Sequence, residues 1–233
     1  ATTVQTKLRE SVSVRDFGAV GDGVVDDTVA VQAAVTHCFT NGIELYWPDG
    51  SYLTTASITN FHSVEHTGHG VVVRGTSTFY VSPKEGQTNN LYVAVAGSST
   101  TFDGLSSSQP LATLQGAFNV LKNYWPLNGK WVINLAAGTY STTSNRVARL
   151  GPPNEDEINP NVDSYTINGA GEMLNMITIQ GPDVGYDPAT NPTPTPTAIM
   201  SGGGAGAVGI ALAVGIKALI KNIKLQDYSG TVS

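Results

Sequence analysis

Cysteine and charge are both scarce in this 233-residue sequence. Cys38 is the single cysteine, so no disulfide can form within the chain, and only 13% of the residues are charged. The net charge of −6 and the lack of a basic run argue against nucleic acid as a partner. The sequence also lacks a glycine-rich phosphate loop, a G-x-S-x-G elbow and a C-x-x-C pair, so no cofactor is predicted.

Long hydrophobic runs are missing as well. The most apolar stretch, residues 205–220, is interrupted by glycines and by Lys217. It falls short of the roughly 20 apolar residues that a membrane-spanning helix needs. Residues 1–5 show neither the basic nor the apolar region of a signal peptide. No membrane insertion is predicted.

Glycine and small polar residues are abundant instead. The 26 glycines, with many Thr, Ser and Asn residues, are typical of an all-β chain with many turns. The length allows one large or two small domains. Cys38 lies in a predicted helix, where a buried, inert thiol is a better interpretation than a reactive one.

The stretch from Val14 to Thr28 organises the start of the chain. An apolar segment between Val14 and Val20 could enter a sheet. Residues 21–23, Gly-Asp-Gly, predict a tight turn, because glycine accepts positive φ and aspartate bonds its own backbone. Residues 26–28 offer side-chain oxygens to the free N–H groups of a helix that is predicted over residues 29–39.

Residues 16–35 carry a specific motif, DFGAVGDGVVDDTVAVQAAV. It closely resembles the opening motif of pectate-lyase-like right-handed parallel β-helix proteins, especially bacteriophage tailspikes that degrade bacterial surface polysaccharides. The resemblance implies an all-β fold with short helices, in which N-terminal helices cap a parallel β-helix. It implies the architecture more than the chemistry, because the same cap occurs on lyases, hydrolases and non-catalytic spikes.

A second unit of the same order follows. A strand at residues 90–95, a glycine turn, an amphipathic helix at residues 110–121 and a strand at residues 131–135 lead to a Gly-x-Tyr turn that matches residues 48–52. Chance similarity between β-rich segments is the alternative. Two helix-capped modules in series would divide the chain into a stalk or neck segment (1–12), a head module (13–84), and a second capping helix with the first β-helix rungs (85–233).

The end of the sequence shows no capping segment. An open rung would expose unpaired backbone and apolar side chains, so we expect this chain to be the N-terminal part of a longer protein, with much of any active site beyond residue 233.

Acidic residues are the candidates for catalysis. Hydrolysis of a glycosidic bond needs two carboxyl groups about 5 to 9 Å apart. Elimination from a uronic acid needs a base and a cation or acid near the carboxylate. The acidic residues considered are Glu155, Asp156, Glu157, Asp163, Glu172 and Asp183. Of these, Glu155, Glu157 and Asp163 are the predicted catalytic residues, and Trp125 and Tyr165 are predicted to bind substrate. A solvated loop is the other interpretation of the acidic cluster.

Two clusters suggest metal sites but are better explained without one. Asp22, Asp26 and Asp27 are rich in oxygen, yet they lack the spacing of a calcium loop, and helix capping accounts for them. His62, His66 and His69 suggest zinc, but they lie in a glycine-rich polar stretch without cysteine, so a surface loop is predicted. Trp47 and Trp131 fit either sugar stacking or core packing.

The resemblance implies a phage tailspike that recognises and depolymerises a bacterial capsular polysaccharide or lipopolysaccharide, as lyase or hydrolase. It further implies a homotrimer in the virion tail that contacts tail or baseplate proteins and acts on the outside of the host. A non-catalytic head module that attaches the spike to the virion is one alternative. A secreted bacterial polysaccharide lyase is another.

Overall fold

The computed structural model describes residues 11–98, 100–124, 127–141, 146–150, 177–183, 185, 195–201, 208–212 and 218–226. These residues form two α-helices, α1 (Thr28–Asn41) and α2 (Leu114–Asn123), and sixteen short strands. The strands are β1 (Ser11–Ser13), β2 (Asp22–Asp26), β3 (Glu44–Trp47), β4 (Ser51–Leu53), β5 (His66–Gly68), β6 (Val71–Arg74), β7 (Ser77–Tyr80), β8 (Thr88–Val93), β9 (Lys130–Leu135), β10 (Gly138–Ser141), β11 (Arg146–Leu150), β12 (Ile177–Gln180), β13 (Ala198–Ser201), β14 (Val208–Leu212), β15 (Ala218–Lys221) and β16 (Ile223–Gln226).

Nearly all strand pairs are parallel. In the first part of the chain, β1, β3 and β5 form one parallel sheet, and β2, β4 and β6 form another, to which β7 adds as an antiparallel edge. In the second part, β8, β9, β12 and β15 pair in sequence order, as do β10, β13 and β16, and β11 pairs with β14. The predicted all-β class with short helices is thus confirmed as a set of parallel sheets.

In the core, the parallel register places similar apolar residues next to one another on neighbouring strands. Leu91, Ile133 and Ile179 lie side by side in β8, β9 and β12, and all three are fully buried. Ile220 continues this row in β15 but is 43% exposed, because no further strand lies over it within the described part of the chain. The inward rows supply the hydrophobic contacts that hold neighbouring strands together.

Helix α1 buries one face, made of Val31, Ala34, Val35 and Cys38. The i, i+3, i+4, i+7 spacing explains this stripe. The prediction of a buried, inert Cys38 is confirmed, because the thiol is 1% exposed and burial raises its pKa to about 11. The helix ends at Gly42, whose φ of +62° suits glycine.

The start of α1 differs in part from the prediction. The Asp26 carboxylate accepts a hydrogen bond from Thr28 N at 2.9 Å, as a capping side chain should. Asp27 does not cap the helix; its carboxylate lies 2% exposed and accepts from Val20 N and Gly21 N at 2.7 and 3.1 Å. Asp27 therefore fixes the glycine turn against the helix.

The apolar segment from Val14 does not enter a sheet as expected. Residues Val14–Phe17 form a 3₁₀ helix, and the strands β1 and β2 lie on either side of it. The cause is a capping box, in which the Ser13 hydroxyl accepts from Arg15 N and Ser13 N donates to the Asp16 carboxylate. The expected bond from an aspartate to its own turn is present, since Asp22 Oδ1 accepts from the backbone N–H groups of residues 24 and 25.

The Gly-x-Tyr turn occurs twice with the same hydrogen bond. The hydroxyl of Tyr52 donates to Pro48 O at 3.0 Å, and that of Tyr140 donates to Ala136 O at 3.0 Å. Each tyrosine thus closes the corner between two strands, β3 and β4 in the first unit and β9 and β10 in the second. The geometry of the two corners matches the sequence similarity between them.

Helix α2 begins at a side-chain cap, because the Thr113 hydroxyl accepts from Gly116 N at 3.0 Å. Replacing Thr113 by alanine should lower the free energy of unfolding by about 1 kcal/mol, since an N–H group at the helix start loses its partner. Urea unfolding measures this change. Thr36→Ala is the matched control, because Thr36 is exposed inside α1 and its hydroxyl bonds within the same helix, donating to Gln32 O and accepting from Gln32 Nε2. An equal loss in both variants would contradict the capping role.

Candidate functional site

The predicted catalytic residues Glu155, Glu157 and Asp163 lie outside the described residues, as do the predicted substrate-binding residues Trp125 and Tyr165. Their roles therefore stay predictions. Asp183 is described, and its carboxylate accepts a hydrogen bond from Gly185 N at 3.1 Å in an exposed turn. The candidate site must be built from other residues.

The outward face of the four-stranded sheet β8-β9-β12-β15 carries a row of polar side chains. Tyr92, Asn134, Gln180 and Lys221 occupy the same register position in the four strands. They alternate with buried residues, because successive side chains of a strand point to opposite faces. Neighbouring strands lie about 4.8 Å apart, so the row offers one polar group at each such step.

Hydrogen bonds join three of the outward side chains into a ladder. Asn134 Nδ2 donates to Asn90 Oδ1 at 3.1 Å, and Gln180 Nε2 donates to Asn134 Oδ1 at 2.7 Å. These contacts hold the carboxamides in fixed orientations on three adjacent strands. A preorganised row of amide donors and acceptors suits the hydroxyl groups of an extended sugar chain.

Lys221 gives the end of this row a positive charge. Its side chain is exposed on β15, beside the Gln180 position of β12. An exposed ammonium group can pair with the carboxylate of an acidic sugar. The described strands of this face carry no Asp or Glu, so the carboxyl pair that hydrolysis requires is not found among them.

The histidine cluster is not a surface loop as predicted, except at His69, which is exposed 3.4 Å from the Asp49 carboxylate. His66 packs against Phe61 with ring centroids 4.5 Å apart and accepts at Nδ1 from Trp47 Nε1 at 3.0 Å. Its Nε2 lies 2.7 Å from Phe61 O. Because the ring is withdrawn from water, the pKa of His66 falls to about 4, although the hydrogen bond to Phe61 O acts in the opposite direction.

Within the described ranges, no group of three His, Cys, Asp or Glu side chains is arranged to hold a metal ion. The tryptophans Trp47 and Trp131 are fully buried, so core packing is their role rather than sugar stacking. In the same described part of the chain, no helix has the length and apolarity needed to cross a membrane.

A buried ion pair joins the end of β6 to the turn after β8. Arg74, at the end of β6, places Nη1 2.5 Å from Asp103 Oδ1, and the two side chains are 5% and 1% exposed. The Asp103 carboxylate also accepts from Ile58 N and Leu105 N at 2.9 and 3.2 Å. Arg74 Nε donates to Thr54 Oγ1 at 3.2 Å. Asp103 thus binds residues on both sides of it in the sequence, Ile58 and Arg74 before it and Leu105 after it.

His62 extends this junction. Its Nε2 lies 2.7 Å from Asp103 O, and its Nδ1 lies 3.1 Å from the Tyr124 hydroxyl. Burial lowers the pKa of His62 and raises that of Tyr124. Both groups therefore stay neutral near pH 7 and serve as hydrogen-bonding partners that connect the first unit to α2.

Parallel sheets with two α-helices are consistent with a pectate-lyase-like fold. Residues 11–230 match the family described as rhamnogalacturonase A/epimerase, pectate lyase-like. The chain belongs to this family. No solved structure matches it significantly.

Three relatives share shorter segments with the chain. A glucan 1,3-beta-glucosidase of Cochliobolus carbonum is 32% identical over 100 residues, which are 43% of this chain and 10% of the relative. The mannuronan C5-epimerase AlgE5 of Azotobacter vinelandii is 51% identical over 41 residues, 17% of this chain and 4% of the relative. The non-secreted LysM effector LysM15 of Penicillium expansum is 34% identical over 67 residues, 24% of this chain and 5% of the relative. The chain thus spans a tenth or less of the length of these relatives.

Proposed function

We propose that this chain binds a polysaccharide along the outward face of β8, β9, β12 and β15. The observation that carries the proposal is the ladder of Asn90, Asn134 and Gln180, which presents fixed amide groups on successive strands. Lys221 lies in line with the ladder and favours an acidic glycan. The names of two relatives, a glucosidase and an epimerase of a polyuronate, support a polysaccharide as the ligand class.

We further propose the setting that the opening motif implies. The sheets would be successive faces of a right-handed parallel β-helix, and the chain would form part of a homotrimeric phage tailspike that depolymerises a bacterial surface glycan. The parallel register between strands of distant sequence supports the β-helix. The motif at residues 16–35 supports the tailspike.

A non-catalytic attachment role is the second candidate. It is favoured by one observation, the lack of Asp and Glu on the described strands of the sheet face. Incubation of the chain with capsular polysaccharides separates the two candidates. New reducing ends, with or without the ultraviolet absorbance of unsaturated uronates, would indicate a lyase or a hydrolase, respectively. Binding without cleavage would support attachment.

The sheet-face proposal is tested by affinity electrophoresis in gels that contain acidic or neutral bacterial polysaccharides. Lys221→Gln should weaken binding to the acidic glycans about tenfold, since a hydrogen bond to a charged group contributes about 1.5–3 kcal/mol. Asn134→Ala with Gln180→Ala should weaken binding to both kinds. Lys84→Gln is the matched control, because Lys84 is an exposed lysine in the turn before β8.

Retention of full affinity by the Asn134 and Gln180 double variant would refute the sheet face as the binding site. Equal losses in Lys221→Gln and Lys84→Gln would show that overall charge, rather than this position, determines affinity.

A further inference from the structure

A cavity of about 420 Å³ lies beside helix α2. Its walls come from residues 58–63, residues 100–103 of the turn after β8, Leu111 and the helix α2. It is separate from the outward sheet face, since none of the residues of the polar row lines it. Its volume is in the range of small-molecule sites.

Helix α2 turns one face towards this cavity. Gly116, Asn119, Val120 and Asn123 line the wall, and their i, i+3, i+4, i+7 spacing places them on the same side of the helix. Asn119 and Asn123 are exposed. The cavity therefore has a helical wall with two carboxamides, one apolar side chain and one position without a side chain.

Three asparagines offer hydrogen-bonding groups that the described protein does not use. Asn119 accepts at Oδ1 from Gln115 Nε2, which leaves its amide donors. Asn123 donates through Nδ2 to His62 O, which leaves its Oδ1. Asn60 adopts a positive φ of 61° at the start of a 3₁₀ turn, yet its side chain makes no capping bond within the described structure.

The ionisable side chains that border the cavity are either paired with an opposite charge or uncharged. The Asp103 carboxylate is engaged by Arg74 and by two backbone N–H groups. His62 is neutral and bonded at both ring nitrogens. Among the described residues, no lysine, arginine or glutamate lines the cavity. A charged ligand would therefore find no free counter-charge, whereas a neutral polar ligand would find amides.

An apolar surface completes the lining. Leu111 and Val120 are buried, and the half-buried ring of Phe102 borders the same space. A sugar ring combines an apolar C–H face, which packs against aromatic and aliphatic groups, with hydroxyls that both donate and accept hydrogen bonds. The C–H face of a sugar thus matches the apolar side chains of the cavity, and its hydroxyls match the carboxamides.

We propose that this cavity is a second carbohydrate site, which holds one or two neutral sugar units between Phe102 and the carboxamides of Asn60, Asn119 and Asn123. The ligand class is that of the proposed function, on which the biological meaning of the site rests. The cavity and the sheet face nevertheless use different residues, so the two sites can be tested separately.

Gly116 supplies the decisive variant. Glycine within a helix is less favourable than other residues, so Gly116→Leu should not weaken α2, while its side chain would project from the cavity wall. Ala33→Leu is the matched control, because Ala33 is exposed on α1 away from the cavity. Thermal unfolding of both variants establishes that they are folded.

The measurement is saturation-transfer difference NMR on the full chain, with glucose, galactose, rhamnose, maltose and lactose as probes and glucuronate as the charged comparison. We expect transfer to at least one neutral sugar, weaker or no transfer to glucuronate, and at least a tenfold weaker signal in Gly116→Leu but not in Ala33→Leu. Asn119→Ala should weaken binding as well. No transfer to any neutral sugar, or equal signals in wild type and Gly116→Leu, would overturn the proposal.

The variants of the sheet face distinguish a failure of the cavity proposal from a failure of the sheet-face proposal. If the Asn134 and Gln180 double variant loses polysaccharide but keeps the small-sugar signal, the cavity is an independent site. If that variant loses the small-sugar signal too, the sugars bind the sheet and the cavity proposal is wrong. If polysaccharide never binds the sheet while Gly116→Leu abolishes small-sugar binding, the cavity proposal stands and the sheet face fails.

Discussion

Replacing Asp103 by alanine is expected to lower the free energy of unfolding by about 3–5 kcal/mol, because it would leave the Arg74 guanidinium buried without its counter-charge. The loss is increased by two backbone donors, Ile58 N and Leu105 N, that would lose their acceptor. Arg74 Nη2 already lacks a hydrogen-bond partner among the described residues, so loss of the carboxylate would leave the guanidinium with still fewer partners. Urea unfolding followed by circular dichroism measures the change.

The double variant Arg74→Leu with Asp103→Leu is the control for this prediction. It removes both charges and keeps apolar volume at the junction, so it should be less destabilised than Asp103→Ala alone. The loss of unfolding free energy in the double variant could equal the sum of the losses in Arg74→Leu and Asp103→Leu alone. That result would show that the two residues of the ion pair are not energetically coupled. In that case the junction would depend on packing rather than on the charges.

Lowering the pH from 7 to 4 is expected to reduce the free energy of unfolding by about 3 kcal/mol through His66 alone. The pKa of His66 in the folded protein is about 4, against an ordinary value of 6.5. Folding therefore disfavours its protonation, because the ring is withdrawn from water, and Nδ1 moreover accepts from Trp47 Nε1. The stabilisation is complete above about pH 6.5 and is lost as the pH falls towards 4. His62 contributes in the same direction.

Urea midpoints between pH 8 and pH 4 test this expectation in the wild type and in His66→Gln. Glutamine can donate to Phe61 O and accept from Trp47 without titrating, so its stability curve should be flatter by about 3 kcal/mol over this interval. His69→Gln is the control, because it makes the same substitution at an exposed histidine. If the stability of His66→Gln depended on pH as steeply as that of the wild type, the pH dependence could not be assigned to His66.

Elements that depend on local chemistry could be predicted well from the sequence. The first helix was expected at residues 29–39 and occupies Thr28–Asn41, because its apolar spacing and the following Gly42 define it locally. The strand expected at residues 131–135 is β9, Lys130–Leu135. The 3₁₀ helix at Val14–Phe17 was missed, since its apolar residues suggested a strand while the capping box of Ser13 and Asp16 determined the turn.

The candidate site depends on contacts that local patterns do not contain. Asn134 and Gln180 are 46 residues apart, and only the parallel register of β9 and β12 makes them neighbours. The alternation of buried and outward positions in the predicted strands could have indicated that both face outwards, but not that they meet. Likewise, His62 lies in a polar stretch that suggested a surface loop, while its partner Tyr124 is 62 residues further on.

The antiparallel strand β7 has a consequence for aggregation. A free strand edge can template a strand from another molecule, which is a hazard for sheet proteins. On the outer edge of β7, the Asn89 carboxamide accepts from Tyr80 N at 2.8 Å and donates to Tyr80 O at 2.9 Å, so one side chain occupies both backbone groups of Tyr80. The first sheet is thereby protected from edge-to-edge association at this strand, and intermolecular strand addition there would first have to displace a fully buried amide.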